Sequence, residues 1–142
     1  MADVEFPKAG DVLPPLELPP ISRLDLALYC GASGDHNPIH VDIDFARSAG
    51  LQDVFAHGML SAAWLARLLT NWVPQPAIRS LEVRFAAITQ VGDRITCSGE
   101  VTETFDEGTQ RMVRVRIASR DALGAVKLTG EALVAWPATQ GT

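Results

Sequence analysis

The hydrophobic positions follow two different periods on either side of Pro76. Before it, apolar residues recur at helical spacing. Residues 59–72 (MLSAAWLARLLTNW) place small or apolar side chains around almost the whole circumference of a helix, the pattern of a buried helix rather than a surface amphipathic one. Pro74 and Pro76 stop it. A shorter helix is predicted from about Arg23 to Cys30, with Ser22 as its N-cap and Leu24, Ala27 and Leu28 gathered on one face. A helical turn is predicted over Asp42 to Ala49 and ends at Gly50. Between the two lies a run of loop formers, residues 31–40 (GASGDHNPIH).

After Pro76 the period becomes two. Leu81, Val83 and Phe85 alternate with Glu82 and Arg84; Ile95, Cys97, Gly99 and Val101 alternate with Thr96, Ser98 and Glu100. Turns at Gly92-Asp93, Asp106-Glu107-Gly108 and Asp121 to Gly124 set these apart from a strand at 112–117 and a last one from about Ala125 to Trp136. Four strands joined in this way predict an antiparallel meander with one polar face. Its other face needs a cover, and only the helix near 58–72 is long and apolar enough. An α+β chain in which an antiparallel sheet wraps one buried helix follows from the pattern. Residues 1–20 hold five of the nine prolines, which predicts an extended edge segment, because proline removes ladder donors and fixes φ.

Size and composition narrow this further. With 142 residues, 47% hydrophobic and 20% charged, the chain is expected to form one domain over 1–142. A domain of this size buries roughly 70% of its unfolded surface, enough for a real core. No apolar run is long enough to span a bilayer, and the start lacks the basic-then-apolar layout of a signal peptide, so a cytoplasmic protein with no membrane partner is expected. The net charge of −5 comes from residues 1–53, which hold nine acids and three bases. With no basic cluster or arm, nucleic acid is not an expected partner. Cys30 and Cys97 sit among small and apolar residues in no CxxC arrangement, the setting of buried free thiols.

All three histidines lie between 36 and 57. His36 and His40 have the i, i+4 spacing of a helical metal pair, but Asn37-Pro38 between them disfavours helix and no further acid follows at the right distance, so no metal is expected. Asp35 and Asn37 suit an Asx-type turn that only organises the loop. The third reading is an acid–base pair. Asp35 and His40 flank a stiff turn, so a carboxylate and an imidazole can converge and hold one water between them. An electrostatic partner is available at His57-Gly58-Met59, where the buried helix begins: the Gly58 amide has no helical partner and points along the positive end of the helix dipole.

Residues 29–40 (YCGASGDHNPIH) resemble the signature of the MaoC-like (R)-specific enoyl-thioester hydratases and (3R)-hydroxyacyl-thioester dehydratases. Residues 55–60 (FAHGML) are similar to that family's second landmark at the start of the central helix, and residues 81–85 (LEVRF) with Gly92-Asp93 to its following strand and turn. The likeness runs from about 10 to 136. It implies the hot-dog fold, Asp35 and His40 as a water-activating dyad, and the Gly58 amide as the group that binds the thioester carbonyl oxygen. Asn37 would position the dyad or the water, and His57 would belong to the substrate-binding set. Where some members carry a supporting serine past the glycine, this chain has Ala66, with Ser61 nearby.

The implied reaction is reversible hydration of a trans-2-enoyl thioester to a (3R)-hydroxyacyl thioester, with no cofactor beyond coenzyme A as part of the substrate. Hot-dog thioesterases, and subunits of heteromeric dehydratase complexes acting on acyl carrier protein or steroid-CoA substrates, are the alternatives. The acidic chain offers no obvious basic surface to an acidic carrier protein, whereas Arg79, Arg84 and Arg94 are candidates to meet coenzyme A phosphates. An open sheet edge, together with the resemblance, implies a homodimer or a heterodimer with a related hot-dog subunit.

Overall fold

In a computed structural model, which describes residues 5–137, a curled five-stranded antiparallel sheet holds a single long helix against its concave face. The N-terminal segment runs along one edge. Its short strand β1 (Leu16–Glu17) pairs with the start of β3, and Val12 makes an isolated bridge to Glu100. The proline-rich stretch is an edge, as its missing donors require, although residues 1–4 of that expected segment lie outside the described residues. Ser22 then starts α1 (Arg23–Ser33) with a reciprocal capping box to Asp25. Asp42 caps α2 (Ile43–Ser48), and the central helix α3 (Gly58–Thr70) ends shortly before Pro74.

The strands are β2 (Ile78–Phe85), β3 (Thr96–Glu107), β4 (Gln110–Arg120) and β5 (Val126–Ala135). Spatial order is β1-β3-β4-β5-β2. The expected four-strand meander is therefore correct only for β3-β4-β5. β2 lies against β5 instead of β3, and residues 86–95 carry the chain from one edge of the sheet towards the other. Alternation within strands could not reveal this, because it fixes which face a residue shares and not which strand it neighbours. A register shift between Val101 and Glu103 in β3 bends the sheet around α3.

The core joins α3 to the concave sheet face. Leu65, Leu68 and Leu69 are buried against Val101, Val113, Val115, Ile117, Leu128 and Val134. Two expectations about helices need correction. The predicted face of α1 (Leu24, Ala27, Leu28) points outward, and Leu26 and Cys30 carry the buried side. Around α3 the sheet covers one side only: Ser61, Ala62 and the three leucines are buried, while Met59 is 63% exposed. One curled sheet cannot surround a helix, so an apolar flank of α3 stays open together with Leu24 and Leu28. Both cysteines are buried and free, and burial pushes the Cys97 thiol up to about 12. Among the described residues, no helix is long and apolar enough to cross a membrane.

Gly130 of β5 lies opposite Val83 of β2, and a Cβ there would run into the Glu82 carbonyl. Gly130→Ala is expected to pry β2 from β5 and lower stability by ~1–3 kcal/mol, read as a fall in the urea midpoint without change in activity per folded molecule.

Candidate active site

The segment between α1 and α3 is built from successive stops. Gly34, at φ +75°, terminates α1 in the left-handed conformation that a side chain resists. Ser33 accepts from the Asp35 amide at 3.1 Å, and the Asn37 amide donates to the Asp35 carboxylate at 3.2 Å. The Asn37 side chain in turn accepts from the Ile39 amide at 3.1 Å and caps a single 3-10 turn, Pro38–His40. The Asx organisation expected of Asp35 and Asn37 is thus present, and it is what aims the flanking side chains. Asn37 touches the Asp35 carboxylate through its backbone. A bidentate ion pair from Arg23 to Asp53, at 2.8 and 2.5 Å, ties the start of α1 to the strand-like stretch entering α3 and holds the Asp53 carboxyl below its usual range.

His40 folds inward and is buried. Its Nδ1 lies 2.7 Å from the carbonyl oxygen of Phe55. A carbonyl only accepts, so Nδ1 carries the proton and Nε2 of the neutral ring is left free. A carboxylate oxygen of Asp35 and one ring nitrogen each from His40 and His57 lie within 4.8 Å of one another. Asp35 is exposed and His40 buried, so the pair spans the boundary between solvent and interior. His36 is exposed and takes no part in this cluster.

Two histidines and a carboxylate at this separation are the donor types of a metal site. The rings of His40 and His57, however, stack with centroids 3.8 Å apart and planes 25° from parallel. Stacked rings send their in-plane lone pairs out side by side, whereas one ion requires them to converge at ~2.0–2.1 Å. One nitrogen on each ring is also committed to a carbonyl oxygen. The arrangement suits proton transfer better than coordination.

His57 requires a correction. It was expected among the substrate-binding groups, yet it is 1% exposed and lies behind His40, with Tyr29 packed edge-on at 4.7 Å. At the N-cap of α3 it makes no side-chain cap. The first amides of the helix, Gly58 foremost, are therefore left without a side-chain acceptor at the positive end of the dipole. Gly58 itself is exposed, and the Phe85 ring covers its Cα so closely that a Cβ would stand 3.0 Å from it. A cavity of about 330 Å³ opens beside Gly58, lined by Phe55, Ser61, Phe85, Ile88, Thr89 and Leu128. Its far wall is braced by buried Lys127, which donates to the Ile88 carbonyl at 2.9 Å and faces Asp93 and Asp121 at 3.4 and 3.5 Å. Ser61 lines this cavity, while Ala66 lies farther along α3 and does not. Neither the cavity nor Lys127 was signalled by sequence spacing, because linker 86–95 meets α3 only in the folded chain.

The three arginines do not gather at the site. Arg79 donates to the Pro76 carbonyl, Arg84 is exposed on β2 and Arg94 is exposed just before β3. Arg79 and Arg84 are five residues apart on one strand, about 17 Å along an extended backbone, so they form no single phosphate clamp.

A family profile described as MaoC like domain matches residues 13–122, most of the chain. An (R)-specific enoyl-CoA hydratase of Rhodospirillum rubrum is 35% identical over 120 residues, 83% of this chain and 81% of that protein. Among solved structures, the (R)-hydratase from A. caviae involved in PHA biosynthesis superposes with a TM-score of 0.82 at 26% identity, covering 94% of this chain and all of that one. A chain of the ChsH1–ChsH2 complex from Mycobacterium tuberculosis matches with a TM-score of 0.80 at 26% identity, over 93% of this chain and all of that one. The fold is the hot-dog fold of the R-hydratases, as the sheet around a helix and the two sequence landmarks led one to expect. The chain belongs to the MaoC-like family and is a hydratase/dehydratase.

Burial holds the His57 pKa below the usual 6.5. The unfolded chain therefore takes up that proton at higher pH than the folded one. The contribution to stability is fully present above about pH 6.5 and is lost as pH falls through the lowered folded value. Thermal melts from pH 8 downward are expected to show Tm falling below about 6.5, with a shallower fall in His57→Gln.

Proposed function

We propose that the chain hydrates trans-2-enoyl-CoA thioesters reversibly to (3R)-hydroxyacyl-CoA, with Asp35 and His40 as the catalytic pair and the Gly58 amide as the oxyanion donor. One observation carries this reading. His40 commits Nδ1 to the Phe55 carbonyl while its ring clusters with the Asp35 carboxylate, next to a helix start whose amides have no side-chain cap. The thioester carbonyl oxygen accepts from the Gly58 amide. The pair takes a proton from a bound water as its oxygen bonds to Cβ. The π electrons shift through Cα towards the carbonyl, and the negative charge on oxygen meets the positive end of the α3 dipole. Transfer of a proton to Cα completes the addition, and the reverse sequence eliminates water.

The relative from Rhodospirillum rubrum, an enoyl-CoA hydratase by name, supports coenzyme A as the carrier. The cavity beside Gly58 suits the acyl portion, since its lining is apolar apart from Ser61 and Thr89. In this reading Asn37 acts on the pair through the Asp35 carboxylate, and Arg84 and Arg94 serve as separate contacts to the coenzyme A phosphates.

Asp35→Asn and His40→Ala are each expected to lower crotonyl-CoA hydration by ~10²-fold or more in kcat with the fold intact. The double variant should lose far less than the product of the two, because the residues act as one unit. His36→Ala should stay near the parent rate. Loss of enone absorbance with appearance of 3-hydroxybutyryl-CoA supports the reading. Release of free coenzyme A assigns the chain to the thioesterases, and near-parent rates in Asp35→Asn or His40→Ala remove the pair from the mechanism.

The open flank of α3, exposed Leu24 and Leu28, and the unpaired edge of β2 point to a second hot-dog subunit in the working enzyme. We assign a homodimer. Light scattering is expected to give twice 15.3 kDa at micromolar concentration, and a stable monomer overturns the assignment.

A further inference from the structure

Resting on the hydratase reading, we infer that His57 is a positioning residue: a neutral imidazole, protonated on Nε2, that tethers the Asp35 main chain and forms the platform on which His40 changes charge. Nothing in the water-addition chemistry requires a second buried imidazole, and His57 touches no position that substrate can reach. Two of its contacts nevertheless lead to the catalytic pair, one to the Asp35 carbonyl and one to the His40 ring.

Nε2 of His57 lies 3.2 Å from the Asp35 carbonyl oxygen and 3.5 Å from Cys30 Sγ. A carbonyl oxygen only accepts, so the proton sits on Nε2, with the sulfur as a second, weaker acceptor. Nδ1 then carries a bare lone pair, and it is buried with no hydrogen-bond partner. An orphaned buried polar atom is uncommon and costs stability. Here it has a use. Adding a proton to Nδ1 would place a cation where no acceptor exists, so the ring is held in one tautomer and resists a second proton. The groups facing the ring are the Asp35 segment, His40, Tyr29 and Cys30. The Asp35 carboxylate lies within 4.8 Å and favours a cation, whereas burial and the neighbouring His40 oppose one.

The consequence for the pair is geometric and electrostatic. Asp35 follows a left-handed glycine and precedes Pro38 by three residues, so its main chain is held from both sides only by local turns. The His57 bond is the one long-range tie on its carbonyl, joining residue 35 to the start of α3. His40 must become an imidazolium when it accepts a proton from water. A neutral ring stacked 3.8 Å away tolerates that charge, and a second imidazolium in the same place would repel it.

Three variants separate these roles. Glutamine reaches the Nε2 position with an amide donor that cannot titrate; asparagine is too short to reach Asp35; phenylalanine keeps a stacked ring and lacks the donor. His57→Gln is expected to keep a tenth or more of the parent kcat. His57→Asn and His57→Phe should lose ~10²-fold in kcat while KM stays within ~3-fold, since misplacement of the pair and not substrate binding is the defect. Asp35→Asn serves as the inactive control, and circular dichroism confirms folding of each variant.

The second measurement needs no activity and no variant that folds poorly. Nitrogen-15 imidazole spectra of the parent protein are expected to show one histidine as the neutral Nε2–H tautomer at neutral pH. An inactive parent protein overturns the hydratase reading alone, and the spectra still decide the state of His57. Parent-level kcat in folded His57→Asn and His57→Phe, or a His57 ring that is an imidazolium or Nδ1–H at neutral pH, overturns the inference.

Discussion

The hydrogen bond from His40 Nδ1 to the Phe55 carbonyl joins the two parts of the chain on which everything else in the site depends. One part is the overhanging segment from α1 through the 3-10 turn, which has little hydrophobic burial of its own. The other is the stretch leading into α3, which is anchored by the core. Beside that bond the overhang is tied by the His57 contact to the Asp35 carbonyl and by the Arg23–Asp53 ion pair, the latter an exposed interaction of little net worth. With the Phe55 bond, the imidazole is fixed in tautomer and direction, and the ring is held in the cluster with Asp35. Position and chemistry are set by the same atom.

The opposite half of the site comes from helix geometry. α3 is held by its leucines against the concave sheet, so its N-terminus is pinned at a fixed point, and the residue at its N-cap turns inward to the histidine stack instead of capping. The first amides are thereby left for an external acceptor. Glycine at 58 is required twice over. A side chain would obstruct the approach to the amide, and it would meet the Phe85 ring. The same packing leaves one flank of α3 without a cover.

Much of this was legible in one dimension. The helix near 58–72, the three sequential strands of the meander, the turn glycines and the capping serine follow from local rules that depend on a few neighbouring residues. Asp35, His40 and Gly58 were singled out by the family resemblance, while the proline-stiffened turn and the helix start alone also allowed a purely loop-organising role. The inward face of α1 was misread: Leu24, Ala27 and Leu28 share a helical face as well as Leu26 and Cys30 do, and periodicity does not say which face meets a core. The pairing of β2 with β5 was missed for a similar reason, since it depends on where a ten-residue linker goes.

The sequence by itself determined the element types, the presence of one core helix and the family to which the chain belongs. Each is encoded by composition and spacing over a dozen residues or fewer. The tertiary structure alone decided the burial of His57 beneath His40, the cavity between Phe85 and Leu128, the lysine that braces its wall and the flank of α3 that remains open. These features bring together residues tens of positions apart. Their placement depends on how the sheet curls and on which edge β2 joins, and neither is a property of any local stretch of chain.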